Sequence, residues 1–214
     1  FAGVKQKNPD VLVHCDCVQG FGKILFSLNR IKADMVTMSS HKIHGPKGCG
    51  AIYVREGVNL RPLCFGGSQE SRVRPGTENV PGIAAFGHAS LKALRDIREN
   101  WEHVKELNLY LRDCLRQMED VVINSPSGAV PYVLNISVLP FATEDLLHEM
   151  RMRGIYLSGS SACEKGARSH VIRAMGIEGP RADSVVRIGL GKKNTREEVT
   201  VLVETLNELI KRGK

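Results

Sequence analysis

The chain has 214 residues, of which 42% are apolar and 25% charged, and a formal net charge of +7. That is the balance of a soluble globular protein long enough for one core plus a smaller satellite domain. No run approaches the roughly 18 apolar residues of a membrane span. Aromatics at 5% are too sparse for the stacking platforms of a nucleic-acid binder.

The basic residues are scattered apart from the tail Lys211-Arg212-Gly213-Lys214, so they read as a solvated surface without nucleic acid as partner. Cysteines stand at 15, 17, 49, 64, 114 and 163 with no CxxC among them, which points to a reduced, cytoplasmic protein without a disulfide framework. The opening Phe1-Ala2-Gly3-Val4-Lys5 has neither an initiator Met nor an apolar signal core. It reads as the interior of a larger protein.

Val11-Leu12-Val13-His14, following Asn8-Pro9-Asp10, predicts a buried strand, as do residues 33–38 and 51–54. Between them, Gly45-Pro46-Lys47-Gly48-Cys49-Gly50 is a turn. Residues 61–81 form a long loop rich in Gly and Pro, a length that in compact domains accompanies function or disorder. From Gly82 the spacing of Ile83, Phe86, Ala89, Leu91 and Leu94 is helical and runs to about Met118, with a break near Glu99-Asn100.

Residues 121–123 and 132–138 are strand candidates. Thr143 caps a helix to Arg153 with Glu144 and Asp145 in its first turn. Ile155-Tyr156-Leu157 reads as a strand leading into a loop over 158–168. Residues 169–175 form a short helix closed by Gly176, and 185–189 a strand. Thr195-Arg196-Glu197-Glu198 is a capping box for a last helix with the apolar face Val199, Leu202, Leu206 and Leu209. Strands separated by helices give an α/β layout, with the second half a smaller α+β unit.

His14-Cys15-Asp16-Cys17 has the composition of a metal site but not its geometry. In a strand, 14 and 16 face away from 15 and 17, and no second cluster completes the set. The strongest local signal is Ser39-Ser40-His41-Lys42-Ile43-His44-Gly45-Pro46-Lys47-Gly48. A lysine just beyond a strand, with Ser and His beside it and a Gly/Pro turn after it, sits where α/β sheets bind ligands. By chemistry alone this is either an anion site with a reactive lysine or a strand-end loop with a surface lysine.

Several motifs then occur in order: His14-x-Asp16-x-x-Gln19, the Ser39 to Gly48 segment, Gly66-Gly67-x-Gln69-Glu70-x-x-x-Arg74-x-Gly76-Thr77, Ser158-Gly159-Ser160-Ser161-Ala162-Cys163, and Val186-Arg187-Ile188-Gly189-Leu190-Gly191 with Asn194-Thr195-x-x-Glu198. Together they resemble the NifS/IscS class of cysteine desulfurases in the class-V aminotransferase superfamily, from near residue 10 to the last helix. The resemblance implies the second half of a fold type I large domain, a mostly parallel sheet with helices, over 1–90. A connecting helix over 91–120 and a small α+β carboxy-terminal domain bearing the cysteine loop over 121–214 would follow. The activity implied is conversion of L-cysteine to L-alanine with pyridoxal 5'-phosphate, the sulfur passing as a persulfide to an acceptor protein, as in iron–sulfur cluster assembly.

The resemblance also implies roles. Lys42 would hold the cofactor covalently as a Schiff base, with Asp16 facing its pyridine nitrogen and Gln19 its phenolic oxygen. Ser39 and His41 would contact the phosphate, and Thr77 would reach a neighbouring subunit's phosphate, making the unit a homodimer with shared sites. Arg187 would clamp the substrate carboxylate through two parallel bonds. Cys163 would carry the sulfur on an exposed Gly/Ser-rich loop. No metal is implied.

This chain departs from the pattern at Cys17, where a small residue such as Ala is usual. It also departs at Glu164-Lys165-Gly166, where Thr-Ser is frequent, and in a slightly short stretch before Arg173-Ala174-Met175-Gly176. The family's amino-terminal part supplies a phosphate-binding turn, a ring-stacking His and an Asn near the substrate, none of which is assignable here. The expectation is therefore a carboxy-terminal part whose partner half comes from missing sequence or a companion chain. The competing readings are a selenocysteine lyase or related class-V enzyme, and a non-catalytic fragment that docks sulfur-transfer partners.

Overall fold

The computed structural model describes residues 1–159 and 169–212. The chain forms two compact units, Phe1–Glu99 and Asn100–Lys214. Among the described residues no helix is long and apolar enough to cross a membrane.

The first unit begins with helix α1 (Ala2–Lys7), strand β1 (His14–Asp16), the single turn α2 (Leu28–Ile31) and strand β2 (Met35–Ser39). A 3-10 turn, Ser40–Ile43, leads to β3 (Gly50–Val54), and a second one, Gln69–Arg72, precedes the long helix α3 (Val80–Arg95). The sheet has the order β1-β2-β3. β1 runs parallel to β2, with Asp16 opposite Thr37, and β3 antiparallel to it, with Ser39 opposite Gly50. The second pairing is antiparallel because the 45–50 turn returns the chain directly, without the crossover that a parallel neighbour needs.

β1 starts later than the β-branched run 11–14 predicts. The Val13 N–H donates to the buried carboxylate of Asp34 at 2.7 Å, so the ladder opens one residue on. Asp34 is also held by Lys5 Nζ at 2.7 Å and Arg55 Nε at 3.5 Å, clipping α1, β2 and the end of β3 together.

The single helix expected over 82–118 is two: α3, and α4 over Ile97–Leu115. The interruption is Asp96, which closes α3 with its N–H on the Lys92 carbonyl and pairs with Arg95 at 2.7 Å. α3 also starts earlier than expected, because Asn79 caps it by accepting from Gly82 N at 3.1 Å. Pro81, read as the end of the loop, fits a first helical turn that lacks partners for its N–H groups.

In the second unit, strands β4 (Val121–Ile123), β5 (Val133–Val138) and β6 (Val185–Gly189) make an antiparallel sheet in that order. α5 (Thr143–Met152), α6 (His170–Ala174), α7 (Gly179–Asp183) and α8 (Arg196–Arg212) complete it. Leu111 and Leu115 of α4, Leu134, Ile136 and Val138 of β5, Leu146 and Met150 of α5, and Leu202 and Leu206 of α8 share one buried cluster. The capping box is realised: Glu198 N donates to Thr195 Oγ1 at 3.3 Å and Thr195 N to Glu198 Oε2 at 3.1 Å.

Thr143 does not cap α5. Its hydroxyl reaches the Asp183 and Val185 carbonyls at 3.0 and 2.9 Å and so ties α5 to the start of β6. The strand expected at 155–157 is reduced to one bridge, Ser158 opposite Arg187.

Candidate active site

β1 and β2 are parallel, so their carboxyl ends open on the same edge of the sheet, where such sheets bind ligands. Asp16 ends β1 and Ser39 ends β2. By the register and the period of two, His14, Asp16, Thr37 and Ser39 share one face. His14 Nε2 lies 3.2 Å from Thr37 Oγ1. Asp16 is exposed, and its Oδ1 accepts from Val18 N at 2.9 Å, which bends the chain out of the strand. Gly20 N and Phe21 N then both donate to the Cys17 carbonyl, at 2.9 and 2.7 Å. The resulting turn carries exposed Gln19, whose Oε1 lies 3.5 Å from Lys23 Nζ.

At the end of β2 the chain tightens into the 3-10 turn that holds Lys42, half-buried, beside buried Ile43. His44 closes the turn in the left-handed region, φ 68°, and Gly45 N donates to the Ser40 carbonyl at 3.0 Å. A Cβ at position 45 would overlap Ser40 Oγ, so glycine is what lets the chain pass. Ser39 Oγ and His41 Nδ1 are 2.6 Å apart. Asp16, Gln19, Ser39, His41 and Lys42 thus converge on one sheet edge, from two strand ends that lie side by side.

Burial first, and then the positive charge of Lys42, pushes the Lys23 amine below the usual lysine value. Two lysines, a hydroxyl and an imidazole make an environment suited to an anion, with a carboxylate at the neighbouring strand end. That donor set matches the charges of pyridoxal phosphate: anionic phosphate and ring oxygen, cationic ring nitrogen. Cys15 and Cys17, whose sulfurs are 3.4 Å apart, take no part in it. Burial, the contact with Cys15 and the charge of Asp16 push the Cys17 thiol up to about 11, leaving it protonated at neutral pH.

Thr77 is exposed and lies two residues ahead of Asn79, whose Nδ2 is 3.8 Å from Cys49 Sγ. Among the described residues no hydrogen bond joins Thr77 to the lysine turn.

The remaining expected residues belong to the second unit. Arg187 is half-buried in β6, paired with Asn135 of β5 on one side. On its other side is Ser158: Arg187 N donates to the Ser158 carbonyl at 2.7 Å, and Ser158 N to the Arg187 carbonyl at 3.2 Å. Cys163 lies outside the described residues. The chain resumes at Ser169, which is buried and caps α6 by accepting from Val171 N at 3.2 Å.

Two features were not foreseen from sequence. One is Lys23, which the turns over 17–24 bring to Gln19. The other is a largely buried polar network that joins the end of β4, β5 and α7. Arg181 donates twice to Asn124 Oδ1, at 2.9 and 2.7 Å, while Asn124 Nδ2 donates to Asn135 and Ser137. Ser137 Oγ closes the loop on the Arg181 carbonyl at 2.7 Å. With its donors and acceptors matched, such a network holds one geometry.

The aminotransferase class-V family pattern matches residues 2–202. The cysteine desulfurase IscS of Dictyoglomus turgidum is 34% identical over 210 residues, which are 96% of this chain and 53% of that protein. The mitochondrial cysteine desulfurase of Saccharomyces cerevisiae is 37% identical over 206 residues, 94% of this chain and 41% of that protein. Among solved structures, a NifS-like protein superposes with a TM-score of 0.89 at 37% identity, covering 97% of this chain and 55% of that one. A NifS-like protein from Rickettsia africae superposes with a TM-score of 0.87 at 32% identity, over 97% and 55% of the two chains. The chain therefore spans about half the length of the curated relatives it matches. The expected α/β architecture is the one those structures share over this half.

Proposed function

The chain belongs to the aminotransferase class-V family, and from that premise we propose that it acts within a cysteine desulfurase, taking L-cysteine to L-alanine and delivering the sulfur to an acceptor protein. Enzymes of this family use pyridoxal 5'-phosphate. The observation that carries the reading is the convergence of Asp16, Gln19, Ser39, His41 and Lys42 on the carboxyl ends of two adjacent parallel strands.

In this reading each side chain has one task. When bound, pyridoxal phosphate supplies an electron sink for the substrate carbon. Lys42 would hold it covalently, and the Asp16 carboxylate would face the ring nitrogen and keep its proton in place. Gln19 donates to the ring oxygen, and Ser39 and His41 donate to the phosphate. Arg187 takes the substrate carboxylate with its planar fork of donors. Cys163, as thiolate, would attack the substrate sulfur: the persulfide S–S bond forms as the substrate's carbon–sulfur bond breaks, and that bond's electron pair stays with the carbon, which takes up a proton on the way to alanine. The pairing of Ser158 with Arg187 supports this division of labour, because the segment leading to Cys163 departs from beside the carboxylate clamp.

Thr77 serves the phosphate of a second copy, so the working unit is a homodimer. The counterpart of the relatives' other half completes the cofactor domain, from the same or a companion polypeptide. The first unit supports that: Leu63, Phe65, Val80 and Leu91 are 99%, 85%, 65% and 72% exposed, an apolar surface in need of cover. The free cysteines among the described residues support a reducing compartment, the cytoplasm.

Turnover is the test. The 214 residues alone should not convert cysteine to alanine, and the protein with its other half should. In that protein Cys163→Ser should abolish desulfuration. A fully active Cys163→Ser variant would favour a selenocysteine lyase, and turnover by the chain alone would refute the shared cofactor domain.

A further inference from the structure

The geometry points to Lys23 as a positioning residue for Gln19: its amine meets Gln19 Oε1 and turns the amide's Nε2 donor away from itself, toward the site. This deepens the reading above and rests on its role for Gln19.

The argument starts with what fixes Lys23. Phe21 N bonds to the Cys17 carbonyl at 2.7 Å and Ile24 N to the Gly20 carbonyl at 2.9 Å. Residues 17–24 therefore form two consecutive hydrogen-bonded turns that bring Lys23 Nζ to 3.5 Å from Gln19 Oε1. The turn cannot drift. The Phe21 ring packs edge-on against Phe86, centroids 6.2 Å apart. Gly22, at φ 70°, is so close to its neighbours that a Cβ there would come within 2.7 Å of Ile43 Cγ2 and 3.0 Å of the Ala93 Cβ. Ile43 is the residue after Lys42, so the backbone preceding Lys23 is pressed onto the lysine turn itself.

The second step is donor chemistry. A glutamine side chain can be turned either way round, and only its partners decide which end faces where. An ammonium group offers donors alone. Facing Lys23, the amide therefore presents its oxygen, and its NH2 group points elsewhere. A donor is what an anionic ring oxygen requires. The half-burial of Lys23 and its exposure to the charge of Lys42 agree with this placement, since both put it inside the electrostatic neighbourhood of the site. Without Lys23 nothing in this contact would distinguish the two amide orientations.

The test is a titration with pyridoxal phosphate of the protein together with the polypeptide that completes its cofactor domain. The readouts are the position of the cofactor's visible absorption band and the dissociation constant. Lys23→Met should move the band and weaken binding roughly tenfold, as expected for a lost hydrogen bond to a charged group. Lys23→Arg, which keeps the donors, should restore both. In a Gln19→Leu background Lys23→Met should cost nothing further, because the two act as one unit.

Should Lys23→Met fail to fold, Lys23→Leu, which likewise has no donor, is read by the same criteria. A spectrum and affinity unchanged in the Lys23 variant would overturn the inference. So would a loss that persists in full without Gln19, which would make Lys23 a direct or merely structural contributor. A wild-type protein with no band that depends on Lys42 would instead defeat the underlying functional reading.

Discussion

The two units differ in how they are held together. The second has a continuous core: Leu111, Leu134, Val138, Leu146 and Met150 are fully buried, with α4, α5 and α8 packed on one antiparallel sheet. In the first, the buried apolar residues are only Val13, Ala33, Val36, Ile43, Phe86 and Ile97, and β3 is exposed at Gly50, Ala51 and Ile52. Its order comes from polar and steric clips: Asp34 with Lys5 and Arg55, Gly22 against Ile43, Gly45 against Ser40. The lesson concerns division of labour. The unit with a closed core carries Arg187, proposed above as the substrate clamp, and the unit with the thin core carries the lysine turn. The proposed sharing of the cofactor domain with further polypeptide would produce this asymmetry.

The largest expected effect follows directly. Residues 100–214, made alone, should unfold cooperatively, whereas 1–99 made alone should show no cooperative transition by circular dichroism in denaturant. A cooperative first unit would remove the comparison altogether.

Next in size is the Gly45 contact. Gly45→Ala should destabilise the lysine turn by about 1–3 kcal/mol through overpacking on Ser40. Ser40 is fully buried and its hydroxyl has no hydrogen-bond partner among the described residues. Ser40→Ala should therefore be neutral or stabilising alone, and should relieve part of the Gly45→Ala cost. Chemical denaturation of the two single variants and the double variant decides it, and purely additive effects would show that the contact is not the cause.

The smallest effect is a pH dependence. The hydrogen bond from Lys5, with that from Val13 N, holds the Asp34 carboxyl below the ordinary aspartate value. A lowered native value means that the contribution is complete above the unfolded-state value, about pH 4, and is lost as pH falls through the lower native value. Asp34→Asn should flatten the acid limb of the stability profile of the first unit and leave that of the second unchanged. An unaltered acid limb would show that the clip does not hold the first unit together.

How much of this could be read from the chain follows the same divide. In the second unit the capping box at Thr195, the strands around Leu134 and Val186, and the apolar face of α8 are all visible as periodicity, because one sheet and its helices bury one face each. In the first unit the strand starts at His14 and not at Val11, because a side chain, Asp34, takes the Val13 N–H, and no local pattern announces a partner 21 residues away. The helix break lies at Asp96, three residues before the expected Glu99, because Asp96 ends α3 through its backbone N–H and leaves the apolar spacing intact. The turn after β2 was legible from Ser39 to Gly48, since glycine and proline mark it directly. Lys23 was not, because a lysine in a helical turn looks like any surface lysine until Gly22 and Phe21 fix where the turn lies. The Asn124 and Arg181 network was hidden for a similar reason: its members are spread over three elements.

The central claim is that Lys42 is the lysine that holds the cofactor. It is tested most directly by reducing the protein and its completing half with borohydride in the presence of pyridoxal phosphate, and then mapping the modified peptide by mass spectrometry. The account predicts a single pyridoxyl adduct, on Lys42, absent from Lys42→Ala. An adduct on Lys23 or spread over surface lysines, or none at all, would contradict it.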